Sequence, residues 1–188
     1  MSIDLLKDSI AAFSAELDRT ADADFGKATK CDGWDVTGLM KHIVGGCVAA
    51  NMALRGATRE ENSSFFTDYQ FGADIRADYR AATEDHVKAF SEFGDLGAIV
   101  QHPMMDMPAD RMLMFRIVDF ALHAWDLGVG LGRTVALDPE LVQYVWDSMS
   151  PMAAGIGSIG VFGAGPSGTV PDDADLQTRV LDLTGRRP

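Results

Sequence analysis

Residues 112–128, MLMFRIVDFALHAWDLG, constrain the fold of this chain more than any other stretch. Apolar side chains cover most of the circumference of a helix drawn through them. Only Arg116, Asp119, His123 and Asp126 interrupt, at intervals of three, four and three. At about 100° per residue these four make one stripe roughly 80° wide. A helix apolar on every other side belongs inside a helical protein. The stripe itself has two readings. It is the wet face of the helix, or it lines an interior cleft. In the cleft an unpaired carboxylate or imidazole would be costly to bury, and a shared cation would offset that cost.

The rest of the chain repeats the helical period. A first helix is expected over 3–19, with Leu5, Ile10, Phe13 and Leu17 inward. Asp35 is placed to cap a second helix running to about Arg55, with Val36, Leu39, Met40, Ile43, Cys47, Ala50 and Leu54 as its stripe. A third covers 70–93, with Ile75, Tyr79, Ala82, His86, Ala89 and Phe90 in register. The fourth covers 109–131, eroded by Gly128, Gly130 and Gly132. A short fifth follows Asp138-Pro139, proline suiting a first helical turn. Residues 96–106 are the one place for an extended segment. The expected fold class is all-α, a four-helix bundle with an extra short C-terminal helix and a Gly-rich loop, in one domain over 1–188.

Charge and composition exclude some partners. A net charge of −12 leaves no basic patch for nucleic acid. The acidic, amphipathic start MSIDLLKDSI is no secretory signal. Cys31 and Cys47 form no disulfide framework, so reduced thiols and a cytoplasmic location are expected. Residues 148–171 are uncharged, but six glycines and three prolines make them a loop, a candidate lid, rather than a membrane span. The GIGSIG at 155–160 matches a dinucleotide fingerprint in letters only, because no strand precedes it and no helix follows.

Several residues are candidates for chemistry. Asp119 and His123, at i and i+4, share one helix face and can converge on one ion; a surface Asp–His hydrogen bond explains the spacing equally well. His42 lies beside the apolar stripe of the second helix. The small residues Gly46, Ala49 and Ala53 on its face leave room for an ion, or for close helix packing. His86 falls in the apolar register and reads as a hydrogen-bonded core histidine. His102, before Pro103, reads as a solvated loop residue. Cys31 sits near a helix start that could lower its pKa, but no base is evident near it.

Three segments, WDVTGLMKHIVGG, DFALHAWDLGVGLGR and PDDADLQTRVLDLTGRRP, together resemble the DinB/YfiT-like metalloprotein superfamily. The branch is the one related to the N-terminal domain of mycothiol-dependent maleylpyruvate isomerase, in its small single-domain form. The resemblance spans essentially the whole chain and implies a DinB-like four-helix bundle. By matching position it implies His42, Asp119 and His123 as metal ligands. The isomerase branch carries glutamate where this chain has Asp119. One methylene fewer brings the ion nearer the helix, or calls for a bridging water. Trp34 and Trp125 match landmarks and read as packing residues. Asp126 either orients an imidazole or is a solvated charge.

The resemblance further implies a divalent cofactor, zinc first, with nickel sharing the same ligands. It implies a low-molecular-weight thiol such as mycothiol as cosubstrate, a small-molecule electrophile as its partner, and a homodimer. The function expected is metal-dependent S-transfer or isomerisation. The alternative is a non-catalytic metal- or ligand-binding bundle, or a plain helical scaffold. The isomerase carries a further C-terminal domain, which a chain of 188 residues is expected to lack.

Overall fold

Four helices begin at aspartates whose carboxylates close the exposed first turn, the N-cap chemistry the sequence favours. Asp35 accepts the N–H of Gly38 and starts α2 (Val36–Leu54). Asp74 accepts from Arg76 and Ala77 and starts α4 (Ile75–Glu92). Asp138 precedes Pro139 in α6 (Pro139–Met149), and Asp175 accepts from Thr178 at the head of α7 (Leu176–Leu183). The remaining helices are α1 (Ile3–Asp18), α3 (Arg59–Asp68) and α5 (Ala109–Gly130). Our computed structural model describes residues 3–68, 70–159 and 162–187. Among the expected features, Met1 and Ser2 of the opening segment, Gly160 of GIGSIG, Val161 beyond it and Pro188 of the tail lie outside those residues.

The all-α expectation holds. Between α4 and α5 a single antiparallel hairpin, β1 (Ile99–Gln101) and β2 (Asp106–Pro108), pairs Val100 with Met107. The long helices contact one another in a ring: α1 on α5, α5 on α2, α2 on α4 and α4 on α1. Their inner faces hold Leu6, Phe13, Leu39, Ile43, Phe90, Leu113, Ile117 and Phe120, all essentially without solvent contact. Each such side chain contributes about 1.5–3 kcal/mol by burial. No helix among the described residues is long and apolar enough to cross a membrane.

Some boundaries differ from the expectation. The third expected helix, α4, starts at Ile75 rather than 70, because Asp74 captures its first N–H groups. Two helices were not expected: α3, which is too polar to show a stripe, and α7. The glycine-rich stretch is not wholly a loop. Ser150–Ile159 winds into 3-10 turns whose contacts include α6 and α7, with Ile156 fully buried. His102 is half-buried in the hairpin turn rather than solvated, and its Nδ1 accepts the N–H of Met104 at 3.2 Å. His86 is the core histidine expected, fully buried, with Nδ1 2.7 Å from Asn51 Oδ1.

Candidate metal centre

The polar stripe of α5 faces inward. Arg116, His123 and Asp126 are buried and Asp119 is half-buried, so the wet-face reading fails. Opposite them, α2 presents His42 two turns after its Asp35 cap. His42 Nε2 lies 3.1 Å from Asp119 Oδ1, and His123 Nε2 lies 3.1 Å from the same oxygen. One ligand-capable atom from each of the three residues falls within 4.8 Å of the other two. The cluster opens toward solvent on the α2 side, where the His42 and Asp119 side chains keep 28% and 21% of their exposure against 9% for His123. Trp34 lies against that open edge, its ring 4.8 Å from the His42 ring. Trp125 is buried in the core, as expected, whereas Trp34, expected as a packing residue, keeps 37% of its exposure.

Arg116 fixes the other side of the carboxylate. Its Nη1 donates to Asp119 Oδ2 at 2.6 Å, and its Nη2 donates to Ile43 O at 3.2 Å. Gly46 makes this possible: a Cβ there would stand 2.3 Å from Arg116 Nη1. The space left by this small residue of α2 therefore holds a guanidinium, not an ion.

Behind His123 a set of partners closes around Asp126, which is completely buried. Asp126 Oδ2 lies 2.9 Å from His123 Nδ1 and accepts from Cys31 Sγ at 3.1 Å and Arg186 Nη2 at 2.6 Å. Its Oδ1 accepts from Arg186 Nε at 3.1 Å. Asp126 thus orients an imidazole and is not a solvated charge. This network assigns the His123 proton to Nδ1, which directs Nε2 at Asp119.

Sequence reasoning missed two members of this group. Cys31 was expected near a helix start and without a base. It does lie in the turn before α2, but with a base beside it, its Sγ 3.4 Å from His123 Nδ1. That turn is held on α5 by the Lys30 N–H to Asp126 O bond. Gly130 permits the approach, since a Cβ there would stand 2.6 Å from Thr29 Cα. The Cys31 thiol pKa is raised, chiefly by burial, opposite to the expected lowering. Arg186 was not singled out; no local pattern links it to Asp126, 60 residues earlier.

The electrostatics suit a cation. Burial opposes charge on Asp119, yet His42, His123 and Arg116 hold its carboxyl well below the usual range. Burial likewise opposes charge on His123, but Asp119 and Asp126 raise its pKa well above the ordinary value. With Nδ1–H donated to Asp126, the Nε2 lone pair of His123 confronts an anionic oxygen. That arrangement needs a positive charge between them, either a proton or a metal ion. Tetrahedral ligands about 2.0–2.2 Å from zinc stand roughly 3.3 Å apart, so the observed 3.1 Å separations need only a slight opening.

Comparison with known proteins gives a consistent family. Residues 6–128 match the family model described as the mycothiol maleylpyruvate isomerase N-terminal domain. The uncharacterized protein Rv0738 of Mycobacterium tuberculosis H37Rv is 28% identical over 130 residues, covering 69% of this chain and 67% of the relative. Its counterpart MT0763 in strain CDC 1551 matches equally. The fold resembles a crystal structure of the mycothiol-dependent maleylpyruvate isomerase with a TM-score of 0.60 at 20% identity, covering 82% of this chain and 67% of that one. A single-site mutant of that isomerase gives 0.62 at 19% identity, covering 87% and 72%.

Proposed function

The chain belongs to the mycothiol maleylpyruvate isomerase N-terminal domain family, and on that premise we propose a divalent-metal-dependent enzyme. It uses a low-molecular-weight thiol of the mycothiol type on a small electrophile, for S-transfer or isomerisation. The observation that carries this reading is the convergence of His42 Nε2 and His123 Nε2 on one oxygen of Asp119, at 3.1 Å each. Two imidazoles and one carboxylate leave coordination positions open, as catalytic sites require. Zinc is the proposed ion, and nickel accepts the same ligands. Bound there, the ion would supply Lewis acidity and lower the pKa of a thiol or water beside it.

The surrounding residues prepare the site. Arg116 holds Asp119 Oδ2, which turns Oδ1 toward both imidazoles. Asp119 reaches them directly despite being shorter than glutamate. Asp126 keeps a proton on His123 Nδ1 and so presents Nε2 as a lone pair. The Trp34 ring lies 4.8 Å from the His42 ring at the exposed side. The partly exposed edges of His42 and Asp119 are where a thiol and an electrophile would enter.

The test is turnover by the zinc-loaded protein with mycothiol, using maleylpyruvate and a panel of other electrophiles. The expected result is thiol-dependent turnover that disappears in His42→Ala. A protein holding one equivalent of zinc with no thiol-dependent turnover on any electrophile contradicts the enzyme reading.

A further inference from the structure

Cys31 is a thiol beside this site that the proposed function leaves unused. Its Sγ lies 3.4 Å from His123 Nδ1 and 3.1 Å from Asp126 Oδ2, and those two atoms are 2.9 Å apart. Thiol sulfur, imidazole and carboxylate therefore form a compact triangle of ligand-capable atoms. It lies on the opposite edge of the His123 ring from Asp119 and His42. Cys31 is half-buried rather than sealed in. Cys47, by contrast, is fully buried beside Arg116.

We propose that Cys31 Sγ, His123 Nδ1 and Asp126 Oδ2 form a second cation site for a soft, thiophilic monovalent ion of the Cu(I) class, and that this site and the His42 site exclude one another through His123. The exclusion rests on the use of His123 Nε2 in the function proposed above; the thiol site itself does not.

Three considerations select the ion. Thiolate sulfur prefers soft cations. Charge fixes the valence: a Cys31 thiolate and the Asp126 carboxylate carry two negative charges, and the Arg186 guanidinium, held on Asp126 at 2.6 Å, returns one positive charge. A monovalent ion leaves that buried group neutral, whereas a divalent ion leaves an uncompensated charge, which burial penalises. Size agrees as well. Metal bonds of about 2.0–2.3 Å place tetrahedral ligand atoms roughly 3.3–3.6 Å apart, so the triangle opens by only a few tenths of an ångström.

The exclusion follows from protons. Loading the thiol site of the zinc-loaded protein sends the Cys31 proton to solvent and shifts the imidazole proton from His123 Nδ1 to Nε2, which the departing zinc vacates. The sulfur and Nδ1 electron pairs go to the ion. The Nε2 proton stays, donated to Asp119 Oδ1 3.1 Å away, where it blocks the His42 site. Loading the His42 site reverses this: Nε2 gives up its proton, and Nδ1–H stays on Asp126. A neutral imidazole serves one site at a time.

The experiment titrates Cu(I) anaerobically into the zinc-loaded protein, following the ultraviolet sulfur-to-copper charge-transfer band and released zinc with a chromogenic indicator. One equivalent of copper should raise the band and release one equivalent of zinc. Cys31→Ser, which keeps a hydroxyl donor to Asp126, should lose the band and bind Cu(I) at least tenfold more weakly, while Cys47→Ser keeps it. In the unaltered protein, Cu(I) should also protect Cys31 from alkylation, read by mass, which needs no variant. A missing band, a band that survives in Cys31→Ser, or alkylation of Cys31 at an undiminished rate overturns the thiol site. Copper bound with zinc retained overturns the exclusion. If the protein never takes zinc yet shows the Cys31-dependent band, the proposed function fails and the thiol site stands.

Discussion

Asp126 and His123 stand one turn apart on α5 with Oδ2 2.9 Å from Nδ1, and Arg186 clasps the same carboxylate through Nε and Nη2. The orientation of His123 is therefore set from behind by a residue of the C-terminal tail, beyond the segment 6–128 that carries the family match. Outer partners of metal-ligating histidines typically account for 10–100-fold in affinity. Arg186→Met is expected to weaken zinc binding by about that factor, with Arg186→Lys recovering part of it. Isothermal titration calorimetry checks this; an unchanged Kd in Arg186→Met would remove Arg186 from the site.

Gly46→Ala sets two effects against each other. Alanine gains up to about 1 kcal/mol of helix propensity over glycine. Its Cβ would, however, meet Arg116 Nη1 at 2.3 Å, and the guanidinium is buried and bonded to Asp119 and Ile43. Overpacking of this kind costs about 1–3 kcal/mol, so the clash wins. A lowered Tm and weaker zinc binding are expected. A raised Tm would show that Arg116 moves freely.

The metal-free protein should show opposite pH limbs. The folded pKa of His123 is raised well above 6.5, because Asp119 and Asp126 outweigh burial. Its contribution to stability is fully present below about 6.5 and is lost as pH climbs through the raised value. For Asp126, burial is outweighed by His123 and Arg186, and the pKa falls to about 2 against an ordinary 3.8. Its contribution is present above 3.8 and lost as pH falls through about 2. Zinc must displace the His123 Nε2 proton, so zinc affinity should rise with pH over the range where the metal-free fold weakens. Urea denaturation and zinc titration at matched pH values check both. Stability and zinc affinity rising together above pH 6.5 would contradict the His123 assignment.

The ring of Trp34, 4.8 Å from that of His42, should report loading. Paramagnetic Ni(II) is expected to quench part of the indole fluorescence in one-equivalent steps. Trp34→Phe should lose that component, while Trp125 and Trp146 remain. Quenching of equal size in Trp34→Phe would place the ion elsewhere.

The fold was legible where helical periodicity was long: α1, α2 and α5 lie within a residue or two of their expected bounds, α2 with its Asp35 cap. α3 was not legible, because Arg59–Asp68 shows no apolar stripe. α7 had a usable signal in Asp175, whose carboxylate receives both the backbone and hydroxyl of Thr178. The inward direction of the α5 stripe could not be read from the stripe alone, since a wet face and a lined cleft share one pattern. The convergence of His42 with Asp119 and His123 followed from the family resemblance. The partners of Cys31 and the role of Arg186 stayed hidden because 92 and 60 residues separate these two from His123 and Asp126, and only tertiary packing brings them in.

A single divalent ion is expected between α2 and α5. Crystals of the zinc-loaded protein, measured on both sides of the zinc absorption edge, test it most directly. One anomalous peak is expected about 2.0–2.2 Å from His42 Nε2, His123 Nε2 and an Asp119 oxygen, absent in His42→Ala. No peak there, or a peak that persists in His42→Ala, would contradict it.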